Sequence, residues 1–238
     1  MALSMVVSMN PAVADLPPMD RRTLGETIYE HLSELLIAGR LAPGEKLSLR
    51  DSAQALGVSV MPVREAVFRL VADGALESPP NRAVRVPVMT VPRFRELADT
   101  RMAVEGLAAA RAAALRTPPQ LAAIRRAEAA FRTLAPTPDP ALPVALNRDV
   151  HFAIYEACGL PTLRAIIAGL WLKAGPVINL DLRANTDRLN SGHALRRHAD
   201  ALAAIEAGDG PAAQAAIAGD INEAAQFIIA RGILPAEA

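Results

Sequence analysis

The chain is 238 residues long, with a formal net charge of zero, 52% hydrophobic residues and 3% aromatic ones. That length allows one large domain or two modest ones, and a core of Ala, Leu, Ile and Val favours helix over sheet. Cys158 is the single cysteine, which excludes an intrachain disulfide and fits a reducing cytoplasm, and no apolar run is long enough to span a membrane.

A neutral sum leaves nucleic-acid binding open, because the placement of charge matters more than its total. The basic residues are almost all arginine, with lysine at Lys46 and Lys173. Arginine suits bidentate contacts to phosphate and guanine, although a GC-rich genome gives the same bias.

Residues 1–20 lack the basic start of a signal peptide and read as a disordered arm, with Met5 and Met9 as further candidate starts. Thr23 and Glu26 form a capping box, and Ile28, Leu32, Leu35 and Leu36 then recur on one helical face. Gly39 stops that helix, and Pro43-Gly44 turns the chain. Ser48 and Asp51 cap a second helix that ends at Gly57. Ser59 is placed to cap a third, where Pro62 is tolerated in the first turn and Ala66, Val67, Leu70 and Val71 face inward. Leu76, Val84, Val86 and Val88 predict two short strands about a turn at Pro79-Pro80-Asn81-Arg82. Three helices and a hairpin make a winged helix-turn-helix over 21–87, with 87–92 as linker.

The remainder, 92–232, predicts an all-α bundle of six helices, roughly 92–116, 118–134, 140–158, 161–189, 193–207 and 211–231. Pro118-Pro119, the run 136–140, Gly159, Gly192 and Gly208 mark their breaks. Gly175-Pro176 is a candidate break inside the fourth, since an interior proline removes a bond and kinks the axis. The fold class is therefore mainly α.

Pro62-Val63-Arg64-Glu65-Ala66, followed by Arg69-Leu70 and Asp73-Gly74, resembles the recognition helix of the GntR-family transcription regulators of FadR type. Pro43-Gly44 and Pro80-Asn81-Arg82 match as well. The resemblance covers about 22–231 and implies an FCD-like C-terminal domain. Six C-terminal helices are closer to the shorter VanR-type branch.

This resemblance implies a role for five residues at the DNA. Arg50, early in the second helix, is placed for a phosphate or guanine. Arg64 is opposite the Val67–Leu70 face, where a bidentate pair to guanine contributes about 1–3 kcal/mol of discrimination. Ser59 caps the third helix and is able to donate to a phosphate. Asn81 and Arg82 fall at the wing tip. Glu65 is expected to orient an arginine, and Arg21 and Arg22 are candidate phosphate contacts. Val60 and Met61 stand where the family often has polar or basic residues; their side chains suit a thymine methyl and leave the target sequence open.

In the C-terminal domain the resemblance implies a divalent metal held by Asn147, His151, His198 and Asp220. Asp220 replaces the family's usual last histidine. Asn147 and His151 are an i,i+4 pair. His198 lies about seven residues before one helix end and Asp220 about nine after the next start, so an antiparallel pair brings them to similar heights. Zn, Mn, Ni or Mg would fit this donor set; the alternative is a metal-free pocket that binds an organic acid directly. Arg101, four residues before Glu105, resembles an effector-facing arginine and equally fits a surface ion pair of about 0.2–0.5 kcal/mol. Trp171, Asn179, Arg183 and Arg188 are candidate cavity residues.

The expected function is a cytoplasmic, homodimeric regulator of operator DNA, a repressor released by a small carboxylate. Two alternatives are a regulator whose sensor domain is blind, and a metalloenzyme with an appended DNA module, with Asp149 or Glu156 as its base.

Overall fold

In the computed structural model, residues 24–80, 83–134, 141–184 and 192–237 are described. The expectations for the arm, for Arg21, Arg22 and Thr23, for Asn81 and Arg82, and for Arg188 lie outside them, as does the side chain of Arg183.

The first hydrophobic core is built by α1 (Leu24–Ile37), β1 (Lys46–Leu47), α2 (Leu49–Leu56), α3 (Val60–Ala72) and β2 (Val84–Arg85). Ile28, Leu32 and Leu36 of α1 meet Val63, Ala66, Val67 and Leu70 of α3, the 3.6-residue stripe expected of a helix that buries one face. Ser48 caps α2 by accepting from the Asp51 amide at 3.2 Å. Gly57 ends it in the left-handed region, at φ 66°. Ser59 stands at the N-cap of α3, but its hydroxyl makes no capping bond, so that part of the expectation fails. Tyr29 of α1 donates to Asp73 at 2.7 Å, and Arg69 lies 4.1 Å over the Tyr29 ring, bolting α1 to the C-terminal end of α3.

The strands differ from the expected hairpin. β2 pairs antiparallel with β1, Lys46 opposite Arg85 and Leu47 opposite Val84. Of the hairpin itself, a single bridge between Glu77 and Arg85 is formed among the described residues. Alternation of Val84, Val86 and Val88 marks which face is buried, but not which strand lies alongside.

The second core is helical among the described residues: α4 (Val91–Leu115), α5 (Pro118–Arg132), α6 (Ala141–Glu156), α7 (Pro161–Ala184), α8 (His193–Ala207) and α9 (Gly210–Ala230). Thr117 and Gln120 form a capping box on α5, and Asp209 accepts from the Ala212 amide to start α9. α4 buries residues around much of its circumference, with Phe94, Arg101, Glu105 and Ala112 among them. It packs against α9 so closely that a Cβ at Gly106 would stand 3.1 Å from Gln214 Cγ. α7 is not broken at Gly175-Pro176; Pro176 sits inside one continuous helix. The missing amide costs a helical bond, and dense packing on both faces of α7 offsets it, with Ala174 and Val177 in the second core and Leu172 in the first.

Candidate functional site

The outer face of α3 carries Met61, Arg64, Glu65 and Phe68, all exposed, opposite the buried Val63, Ala66, Val67 and Leu70. Arg50 in the first turn of α2 and Ser59 at the start of α3 are exposed too. Three of the five residues expected at DNA are thus on the open side of the helix-turn-helix, and Asn81 and Arg82 are outside the described residues. No described arginine bonds Glu65, so its expected orienting role has no counterpart in the structure.

The second candidate site is a buried polar chain in the middle of the bundle. α6 supplies His151, α8 His198 and α9 Asp220, all buried. Their ligand atoms lie within 4.8 Å of one another. His151 Nε2 is 3.2 Å from Asp220 Oδ2 and 3.3 Å from His198 Nε2, and His198 Nε2 is 3.9 Å from Asp220 Oδ1. Donors placed tetrahedrally about 2.05 Å from a zinc ion are about 3.3 Å apart. The two separations from His151 match that spacing, and the one from His198 to the other Asp220 oxygen is longer. Asn147 is half-buried, one turn before His151 on α6.

The tautomer of His151 follows from its neighbours. Burial, and then the Glu105 charge, push the Tyr155 hydroxyl well above the usual phenol range, so it keeps its proton and donates it to Glu105. His151 Nδ1, 2.8 Å from the same hydroxyl, then serves as donor. With Nδ1 as donor, a neutral imidazole would turn its Nε2 lone pair toward His198 and Asp220, the tautomer a metal ligand requires. The Phe131 and Trp171 rings, 4.8 and 5.3 Å from the His198 and His151 rings, fix both imidazoles.

Glu105 is the hub of this chain. It accepts from Arg101 Nε at 2.6 Å and Nη2 at 3.2 Å, from Trp171 Nε1 at 3.2 Å and from Tyr155. The expected Arg101–Glu105 pair is formed, but it is buried rather than on the surface: Arg101 is 5% exposed and Glu105 0%. Burial alone disfavours the Arg101 charge; Glu105 outweighs it and raises the guanidinium above its ordinary value. The Arg101 guanidinium also lies 4.8 Å over the Trp171 ring. Of the other candidate cavity residues, Trp171 is in the chain, whereas Asn179 points away from it and donates to the Ile37 carbonyl at 2.5 Å. Sequence reasoning missed Tyr155 altogether. The signal was present: Asn147, His151 and Tyr155 recur every fourth residue on one stripe.

Residues 24–86 match the family described as bacterial regulatory proteins, gntR family, and residues 96–223 match the FCD domain. The chain is 32% identical over 149 residues to the HTH-type transcriptional regulator McbR of Escherichia coli strain K12, covering 63% of this chain and 67% of that one. It is 29% identical over 182 residues to BphR of Paraburkholderia xenovorans strain LB400, an uncharacterized HTH-type transcriptional regulator, covering 71% and 73% of the two chains. The solved structure of E. coli McbR/YncC superposes with a TM-score of 0.81 at 28% identity, over 89% of this chain and 99% of that one. A GntR structure from Rhodococcus sp. RHA1 shares the fold, with a TM-score of 0.69 at 23% identity over 87% and 97%. These relatives are named as regulators, not as enzymes, which removes the metalloenzyme alternative.

Proposed function

The chain belongs to the GntR family of bacterial DNA-binding transcription regulators and carries an FCD domain, and on that footing we propose that it is a cytoplasmic, homodimeric repressor released by a small carboxylate bound in the helical bundle. The observation that carries this reading is the convergence of His151, His198 and Asp220 beside the Arg101–Glu105 pair.

His151, His198 and Asp220 would hold a divalent ion, with Asn147 as a fourth donor, and such an ion supplies a Lewis-acidic point for a carboxylate. The charges favour that class of ligand. Arg101 and Glu105 cancel, and a divalent ion outweighs Asp220, leaving a net positive cavity. Glu105, by accepting from Tyr155, would favour the Nδ1–H tautomer of His151 that leaves Nε2 to ligate. Aspartate in place of an imidazole keeps the site hard enough for Mn or Mg as well as Zn or Ni.

At the other end of the molecule, Arg64 is proposed to read guanine, with Arg50 on a phosphate or guanine, Ser59 on a phosphate, and Asn81 and Arg82 in the minor groove. One short helix reads few base pairs, and two-fold pairing doubles the readout.

The test is a mobility-shift titration with an operator selected in vitro, followed by addition of small carboxylates. Wild type binds the selected duplex in preference to random DNA, Arg64→Ala loses that preference, and one carboxylate class releases wild type but not His198→Ala. Equal affinity for selected and random duplexes would overturn the DNA-reading assignment, and release of both proteins alike would overturn the sensor site.

A further inference from the structure

α7 belongs to both cores at once. Trp171, Ala174 and Ile178 are part of the bundle core. Leu172, one residue on from Trp171, is part of the DNA-reading core with Ile28, Leu36 and Val67. Positions 172, 175 and 179 form one stripe of the helix, and 171, 174 and 178 form the neighbouring one. The first stripe lies on the end of α1. At Gly175 a Cβ would stand 2.6 Å from the Leu36 carbonyl oxygen and 2.7 Å from Ile37 Cα, so backbone meets backbone. Asn179 is 3% exposed, and its amide donates to the Ile37 carbonyl, one of the last carbonyls of α1, which has no helical partner to accept from. Gly39 faces Asn179 so closely that a Cβ there would stand 2.2 Å from Asn179 Cβ.

We infer that Asn179 is a positioning residue, which caps α1 from the sensor domain and sets the angle of the DNA-reading domain, and that α7 carries the state of the sensor cavity to the recognition helix. The physical path is short. Trp171 touches Glu105 and His151 on one side of α7. On the neighbouring stripe Asn179 and Gly175 hold α1, and α1 is bolted to α3 through Tyr29, Asp73 and Arg69. The seam is narrow enough to pivot. A cavity of about 410 Å³ lies on one flank, lined by Pro87, Met89, Arg93 and Lys173. Another of about 560 Å³ lies on the other, lined by Tyr29, Arg69 and Ile166. Lys173 lines both, with its Cε 3.3 Å from where a Gly74 Cβ would stand, just past the end of α3. The metal arm of the test rests on the function proposed above; the coupling between the two domains does not.

Trp171 is the sole tryptophan, so its emission reports the sensor cavity in the full-length protein. Binding free energies are linked reciprocally, and a device that tells the DNA-reading domain about the cavity must also tell the cavity about DNA. Saturating operator, verified by anisotropy of a labelled duplex, should shift Trp171 emission. It should also change the Zn²⁺ affinity read from that emission by about fivefold or more. Asn179→Ala and the near-isosteric Asn179→Asp, which sets an acceptor against an acceptor, should bind Zn²⁺ alone and operator alone much as wild type does while losing the coupling. A merely structural role would move the separate affinities instead. The inference is overturned if both variants keep the wild-type coupling, or if operator saturation leaves Trp171 emission of wild type unchanged. Failure of Zn²⁺ to bind would remove only the metal reading, because the operator-induced emission change still decides the coupling.

Discussion

Replacing Glu105 with leucine should be among the most damaging single changes in this protein. Glu105 is fully buried and accepts two bonds from Arg101, one from Trp171 and one from Tyr155. Its removal leaves a buried guanidinium without a carboxylate and two further donors without an acceptor. Breaking a buried pair by deleting one partner costs about 3–5 kcal/mol. In a chain of this length each kcal/mol lowers the melting temperature by about 2–4 °C, so Glu105→Leu should melt roughly 6–20 °C below wild type. Arg101→Leu combined with Glu105→Leu should recover much of the loss, because the uncompensated charge leaves with its partner. Far-UV circular dichroism melts with matched urea titrations measure both. A loss below about 1 kcal/mol for Glu105→Leu, or a double variant as damaged as the sum of its singles, would refute the buried-network account.

Gly39→Ala should cost more than about 1 kcal/mol in a urea titration, because the residue has φ 58° and faces Asn179, and an L side chain is strained there. Arg50→Ala should weaken DNA binding evenly across sequences and flatten its salt dependence, while Arg64→Ala should remove sequence preference; salt-series binding isotherms separate the two. The charged hydrogen bond from Arg197 holds the Glu223 carboxyl below its usual range. A depressed folded-state value stabilises above the unfolded value and is lost as pH falls through the folded one. Glu223→Gln should therefore lower the melting temperature of the metal-free protein slightly at neutral pH and not at all in acid, slightly because the pair is partly exposed and screened.

The helices were readable because proline, glycine and capping residues punctuate this chain locally; Ser48, Gly57 and Gly208 act where the sequence put them. The strand partner was not readable, since β1 and β2 are far apart in sequence and alternation names a face without naming a neighbour. The resemblance picked out His198 and Asp220, and helix length with the tight turn between α8 and α9 placed them at similar heights. Arg101 and Glu105 showed their pairing in their spacing, but not their burial. α4 is surrounded on most sides, so a pattern that marks a solvated face on an outer helix carries no such meaning there. Asn179 is one of four cavity candidates on the expected fourth bundle helix, and spacing does not choose among them. Its true contact, with Ile37, lies in the other domain and leaves no periodic trace in the sequence.

The central claim is that His151, His198 and Asp220 form a metal-dependent sensor site, and calorimetric titration of chelator-stripped protein with Zn²⁺, repeated with Mn²⁺, tests it most directly. The account predicts one ion bound per chain and loss of that binding in His198→Ala. The same ion at 100 times its dissociation constant should stabilise wild type by about 2.7 kcal/mol. Absence of binding by wild type with both ions, or unchanged binding by His198→Ala, would contradict it.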